Sequence, residues 1–124
     1  MCKRYMLRTA RFLAIKERAD FIINGDILGE QASQTLDNLV QIQKAVDDIP
    51  VIRPLIGFEK ADVIKLSQKL GLYELSSLPA PACGRNPKYP ETHAKERDIV
   101  ITEKGINYDS IAKKIIAKAE IIEI

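Results

Sequence analysis

Apolar residues along the chain fall into short blocks whose spacing alternates between helical and extended. Met6, Ala10, Leu13 and Ala14 recur at three- and four-residue intervals and predict a helix over residues 3–18. Phe21, Ile22 and Ile23 then form a continuous apolar run between Asp20 and Asn24, stopped by Gly25, as expected of a short buried strand. A second helix is predicted from about Ser33, its N-cap, with Leu36, Leu39, Val40 and Val46 as its stripe. Pro50 ends that pattern, and Val51 and Ile52 read as another strand. A third helix is predicted from Glu59 to Leu70, with Val63, Ile64, Leu66 and Leu70 inward and Gly71 as its stop.

Residues 77–98 carry Pro79, Pro81, Pro87 and Pro90 without helical periodicity and read as one long loop, a length usually reserved for function. Beyond it, Ile99, Val100 and Ile101 read as a strand, and Asp109 or Ser110 as the cap of a last helix presenting Ile111, Ile115 and Ile116. A closing strand is expected over residues 120–124. Helices alternating with three or four short strands predict an α/β fold, a partial Rossmann-like parallel sheet with flanking helices in a single domain, 1–124. A sheet this small has an unprotected edge, which leaves self-association into a homo-oligomer open.

Composition narrows the class. With 46% apolar and 29% charged residues the chain is globular rather than disordered, and its 124 residues suffice for one core. Two distant cysteines in a lysine-rich chain make no secreted disulfide framework, and no apolar run is long enough to span a membrane, so a cytoplasmic protein is expected. The net charge of +2 is unremarkable, but its distribution is lopsided. Lys3, Arg4, Arg8, Arg11, Lys16 and Arg18 oppose only Glu17 in the first eighteen residues, whereas Asp20, Asp26, Glu30, Asp37, Asp47 and Asp48 oppose only Lys44 in the next thirty. The first block is either a basic face for RNA, through Lys3, Arg4, Arg8 and Arg11, or a solvated helix surface.

The stretch from Ile23 to Leu36 carries the clearest candidate chemistry. Ligands of open parallel sheets bind beyond the carboxyl ends of the strands. Here a strand ends at Gly25, followed by Asp26, a second glycine at Gly29 and a helix start with free N–H groups. By itself that pattern is also simply a turn. Its wording, Asn24-Gly25-Asp26-Ile27-Leu28-Gly29-Glu30-Gln31-Ala32-Ser33-Gln34-Thr35-Leu36, is similar to the TGE-x-LGQVASQTL signature of the ThiI family, tRNA 4-thiouridine synthetases that also serve thiamine biosynthesis. The likeness begins at Cys2-Lys3-Arg4-Tyr5-Met6 and continues at Pro50-Val51-Ile52-Arg53-Pro54-Leu55-Ile56-Gly57-Phe58-Glu59-Lys60. It ends in a cysteine loop with Cys83, Pro87, Pro90 and Thr92, so it covers about residues 2–95 in family order and not residues 98–124. Small archaeal PP-loop proteins of predicted tRNA-thiolation function resemble the chain in the same way.

The resemblance implies a PP-loop ATP-pyrophosphatase domain. Such enzymes use ATP, with Mg, to adenylate a uridine carbonyl in tRNA; a sulfur donor, a protein or sulfide, then displaces AMP. Nucleotide contacts would fall on Gly25, Asp26, Gly29, Gln31 and Arg53, and Lys60 stands at the family's functional lysine. Without the family pattern Lys60 is an exposed helix-start lysine, and Arg53 an ion-pair partner at the core rim. Cys83 matches the cysteine that carries sulfur, and Arg85 and Lys88 nearby would favour its thiolate. Some relatives hold an iron–sulfur cluster through a C-x-x-C pair and that distant cysteine; Cys2 and Cys83 alone are too few for one, which leaves open a disulfide between them or a cluster shared with a cysteine of a missing upstream segment. His93 reads as a solvated loop residue rather than a metal ligand.

The family's phosphate loop, SGG-x-DS, is absent from these 124 residues. The expectation is therefore a carboxyl-terminal half that acts with a missing N-terminal PP-loop half, Met1 being an internal start. A non-catalytic partner- or RNA-binding subunit and a sulfur or redox carrier through Cys83 are the alternatives.

Overall fold

A computed structural model of the chain describes residues 2–80, 87–120 and 122. The elements run α1 (Cys2–Lys16), β1 (Ile22–Ile23), a 3-10 turn (Ala32–Gln34), α2 (Leu36–Gln43), β2 (Val51–Ile52), α3 (Lys60–Lys69), α4 (Tyr73–Ser76), α5 (Glu96–Glu103) and α6 (Tyr108–Ile116). The predicted α/β class holds, but among the described residues the sheet has two strands rather than three or four.

β1 and β2 pair in parallel, Ile22 opposite Val51 and Ile23 opposite Ile52. The Ile22 N–H donates to the Pro50 carbonyl at 2.9 Å, and the Asn24 N–H to that of Ile52 at 3.1 Å. Parallel strands require a crossover, and α2 supplies it. Side chains alternate across the pleat, so Ile22 and Val51 face the core formed by Leu7 and Ala14 of α1 with Ile42, Val46 and Ile49. Ile23 and Ile52 point to the other side and are 61% and 43% exposed. Parallel sheets ordinarily have both faces covered; here, among the described residues, one is left largely open.

Local chemistry explains the helix ends. α1 closes with the Ala19 N–H bonded five residues back to Ala14 at 2.8 Å, which puts Arg18 in the left-handed region at φ 56°. α3 closes the same way on Gly71, φ 71°, as the sequence predicts. The cap of α2 is Thr35, not Ser33: its hydroxyl accepts from the Asn38 N–H at 3.3 Å, while Ser33 lies inside the 3-10 turn. Asn107, not Asp109 or Ser110, caps α6, accepting from the Ser110 N–H at 2.9 Å.

The stripe predicted for α2 is partly corrected: Leu39 and Val46 are buried together with Ile42, whereas Leu36 and Val40 are exposed. On α3, Val63 and Ile64 are half-buried and Leu66 and Leu70 exposed; α3 packs on α4. The predicted strand at residues 99–101 is instead the centre of α5, and the long loop ends at Lys95. Ile111 and Ile115 of α6 are substantially exposed, and Ala112 is the residue wholly buried against its surroundings. Of the predicted closing strand, Ile121, Glu123 and Ile124 lie outside the described residues, and neither Glu120 nor Ile122 is in a strand.

A compact monomer of 13.9 kDa exposes about 6,700 Å² by the usual scaling of surface with mass. This chain exposes 9,847 Å², with Ile23, Leu70, Leu72, Leu75 and Leu78 among its exposed large apolar side chains.

Candidate nucleotide site at the strand ends

Because β1 and β2 are parallel, their carboxyl ends open at the same edge, and the residues that follow them meet there. Asp26, three residues past β1, is 6% exposed. Its carboxylate accepts from Lys3 Nζ at 2.7 Å, Asn24 Nδ2 at 2.9 Å and Gln34 Nε2 at 3.3 Å, and lies 3.4 Å from Arg53 Nε. Burial pushes the Asp26 carboxyl up, but the hydrogen bonds from Lys3 and Gln34 and the charges of Lys3 and Arg53 outweigh it, so its pKa falls below the usual range. Asp26 is thus an ionised carboxylate set between two cations.

Arg53 leaves β2 directly into this cluster. Its Nη1 donates to Gln43 Oε1 at 2.9 Å and to the Val51 carbonyl at 3.3 Å. Its Nε and Nη2, and Gln34 Oε1, are buried without a hydrogen-bond partner among the described residues. Unsatisfied buried donors and acceptors at a strand-end crevice are what a polar ligand would complete. In front of Gly25 an added Cβ would meet nothing within 4 Å, so the approach is open.

The neighbouring loops lie side by side. The Leu28 N–H donates to the Ile56 carbonyl at 3.2 Å, and the Gly29 N–H to that of Gln34 at 2.9 Å. Gly29 sits at φ 77°, a conformation that favours glycine. Lys60 opens α3 on the exposed rim, its Nζ 2.6 Å from Glu30 Oε1 across the two loops. The structure therefore gathers Gly25, Asp26, Gly29 and Arg53 at one edge with Lys60 at its lip. Gln31 is exposed at the entry to the 3-10 turn, and Gln34, absent from the sequence-based set, is the glutamine turned onto Asp26. No local signal in the sequence singles it out: Gln31 is the extended cap before the 3-10 turn, and Gln34, the turn's last residue, is the one buried.

Lys3, Arg4, Arg8 and Arg11 of α1 do not face solvent as a free patch, whereas Lys16 does face it. Besides Lys3 on Asp26, Arg4 and Arg8 both hold Glu103: Arg4 Nε and Nη2 at 2.7 and 3.0 Å, Arg8 Nη1 and Nη2 at 3.1 and 2.7 Å. Arg4 also donates to the Gln41 carbonyl, and Arg8 stacks 4.2 Å over the Tyr108 ring. Burial raises the Glu103 pKa, but the two guanidinium groups win and hold it down to about 2. Arg11 pairs with Asp48, Nε at 2.6 Å from Oδ1.

Cys2 is exposed, and Cys83 lies outside the described residues. Among the described residues no group of three or more His, Cys, Asp or Glu is placed to hold a metal ion. His93 is exposed with Nδ1 2.8 Å from Asp37 Oδ2. No described helix is long and apolar enough to cross a membrane.

The two-stranded parallel unit with its flanking helices is a partial Rossmann-like α/β fold of the PP-loop class. The profile of the ThiI family, thiamine biosynthesis protein, matches residues 1–108, and the chain belongs to that family. It is similar to the probable tRNA sulfurtransferases of Coxiella burnetii (36% identity; 98% of this chain, 31% of the relative) and Methanocaldococcus jannaschii (42%; 79% and 26%). The fold matches the crystal structure of a 4-thiouridine synthetase–RNA complex with bound ATP at TM-score 0.85 and 30% identity, over 97% of this chain and 32% of that one. The chain spans about a third of the length of the Coxiella relative.

Proposed function

We propose that this chain is a working part of an ATP-dependent tRNA sulfurtransferase, supplying one wall of the nucleotide site and the sulfur-handling loop. The observation that carries this reading is the buried Asp26 cluster, with unsatisfied Arg53 and Gln34 groups, at the carboxyl ends of the parallel strands. These groups fit a nucleotide: Arg53 Nε and Nη2 offer donors, Gln34 Oε1 an acceptor, and Gly25 leaves room for close approach.

ATP, when bound, supplies the adenylyl group that turns a uridine oxygen into a leaving group. Asp26 fixes Lys3 and Arg53 in place, Gly25 and Gly29 shape the loop, and Lys60 offsets negative charge developing at the phosphates. Cys83 is the sulfur carrier. The lysines and arginines of α1 hold the fold, and their assignment to RNA requires that tRNA compete with Asp26, Asp48 and Glu103 for them. Magnesium would accompany ATP and offset the charge of its phosphates, the part that Lys60 would share from this chain. An iron–sulfur cluster would need ligands beyond Cys2 and Cys83.

The phosphate cradle must come from elsewhere. The bare sheet face at Ile23 and Ile52, and a surface about half as large again as a compact monomer's, support a partner half packed there. Co-expression with the PP-loop segment of a relative is expected to give tRNA-dependent ATP–pyrophosphate exchange and thiolated tRNA. Exchange without thiolation in Cys83→Ser supports the cysteine's role; full thiolation in that variant removes it. A reconstituted complex that binds tRNA but never exchanges pyrophosphate would refute the enzymatic reading in favour of a binding subunit.

A further inference from the structure

Residues 91–103 form a strap laid across α1 and α2. No residue of the segment is buried, yet it is fastened to the body along its length. At its start, Asn38, 6% exposed in the first turn of α2, donates from Nδ2 to the Glu91 carbonyl at 2.7 Å, and its Oδ1 accepts from the Ala94 N–H at 3.0 Å. The Thr35 hydroxyl donates to the Thr92 carbonyl at 2.6 Å while capping α2. Further on, Glu96 accepts from Lys44 Nζ at 2.7 Å. At its end, Glu103 receives Arg4 and Arg8 of α1. α5 joins these last two points as about 12 Å of helix, at 1.5 Å per residue. Since α5 contributes no buried residue, its place is decided by these polar fastenings.

Both ends of the strap reach the Asp26 cluster. Asn38 Nδ2 also donates to the Ala32 carbonyl at 2.6 Å, and Ala32 opens the 3-10 turn that carries Gln34 onto Asp26. A leucine at position 38 would serve burial equally well; an amide that uses both donor hydrogens and its acceptor ties the turn, α2 and the strap together. At the other end, Arg4 is the neighbour of Lys3 in the first turn of α1, and Lys3 Nζ lies 2.7 Å from Asp26 Oδ1. The two elements that the strap grips are therefore the two that present Gln34 and Lys3 to the same carboxylate.

We propose that the 91–103 strap braces the Asp26 site from behind, with Asn38 and Glu103 as positioning residues at its two ends. The inference rests on the nucleotide-site reading given above. Neither residue touches Asp26: Asn38 acts through the turn and Gln34, and Glu103 through Arg4 and the start of α1. Loss of either end frees one donor of the Asp26 carboxylate and loosens the loop from Gly25 to Gly29. Neither the family signature nor the helix periodicity singles out this pair; their hydrogen bonds do.

The test uses the full chain at neutral pH and measures ¹⁵N relaxation of the Asp26, Gly29 and Gln34 amides, a property of the folded state that a loss of global stability does not move. Asn38→Ala and Glu103→Gln are each expected to lower their order parameters from the rigid value of about 0.85 toward about 0.6. Asp48→Asn breaks an ion pair of α1 that lies outside the strap and leaves the loop as it is in the parent. Should Asn38→Ala not fold by circular dichroism, Thr35→Val takes its place, with Thr35→Ser keeping the parent's values. A folded variant at either end whose order parameters superimpose on the parent's, or an Asp48→Asn that loosens the loop as much, overturns the proposal. In the reconstituted complex the same end variants should raise the ATP concentration for half-maximal exchange about fivefold, with the maximal rate within about twofold. A wild-type complex without exchange removes the nucleotide reading instead, and the loop measurements still decide the strap.

Discussion

Replacing Glu103 by glutamine isolates the strongest ionic fastening in the structure. Glu103 receives four hydrogen bonds from Arg4 and Arg8 and has a side chain only 12% exposed. Its pKa of about 2 against an ordinary 4.5 is a shift of about 2.5 units, or about 3.4 kcal/mol at 1.36 kcal/mol per unit. Solvent at this surface-lying site screens part of that, so about 2 kcal/mol is the expected loss at neutral pH. A carboxyl with a depressed folded-state pKa adds stability that is fully present above its unfolded value. That stability disappears as pH falls from about 4.5 toward about 2. The assay is urea denaturation of the wild type and Glu103→Gln, followed by far-UV circular dichroism at about pH 7, 4 and 2.5. The difference between the two should be about 2 kcal/mol at pH 7, somewhat less at pH 4 and about a quarter of its full value at pH 2.5. Every other carboxylate titrates in both proteins, so the difference reports Glu103 alone. A difference below about 0.5 kcal/mol at pH 7, or one that does not change with pH, refutes the reasoning.

Asp26→Asn leaves Lys3 and the largely buried Arg53 without their counter-charge, so a loss of about 2–3 kcal/mol and a melting temperature lower by about 10 °C are expected, together with lost pyrophosphate exchange in the reconstituted complex. A melt within about 2 °C of wild type would show that the cluster does not hold the loop. Arg18→Gly relieves a side chain held at positive φ and should raise stability by about 0.5–1 kcal/mol in the same urea assay; a loss would mean the arginine makes a compensating contact. Ile23→Lys, on the bare sheet face, should change the stability of the chain by no more than about 0.5 kcal/mol yet weaken co-purification with a PP-loop segment at least about tenfold. Undiminished co-purification would place the partner elsewhere.

What the sequence reveals of this fold is what local pattern controls. The β1–α2–β2 unit, α1 and α3 all follow from spacing and stop signals, and Gly71 ends α3 where its backbone freedom predicts. The error at residues 99–101 has a definite cause. Ile99, Val100 and Ile101 are β-branched and suggest a strand, but α5 has acids in its first turn at Glu96 and Asp98, and no residue of α5 is buried. It is fastened by Glu96 to Lys44 at 2.7 Å and by Glu103 to α1, contacts spanning 52 and 99 residues that no local window contains. Gln34 was hidden for a similar reason: only the geometry of the 3-10 turn distinguishes it from Gln31. Of the residues that family likeness suggests for a nucleotide, Gly25, Asp26, Gly29 and Arg53, but not Gln31, gather at one edge because strand ends in parallel sheets converge, a rule of topology rather than of sequence.

The early block of basic residues shows how composition and structure separate. Counted along the chain, Lys3, Arg4, Arg8 and Arg11 form a cationic stretch, the usual footprint of a nucleic-acid face. In the fold they point to three different acids or acid groups: Asp26 in the loop after β1, Glu103 at the end of α5, and Asp48 before β2. The acidic excess of residues 20–48 supplies two of these partners, so the lopsided charge is an internal complementarity. With an apolar cluster of only Leu7, Ala14, Ile42, Val46 and Ile49, α1 needs these ionic fastenings to hold the strand-end loop and α5 in place. Lys3 does this at the site itself, since the residue that anchors the helix start also neutralises Asp26. Fold and candidate site therefore share the charges of α1, and a polyanion drawing Lys3 away would loosen the loop that carries Asp26 as it bound.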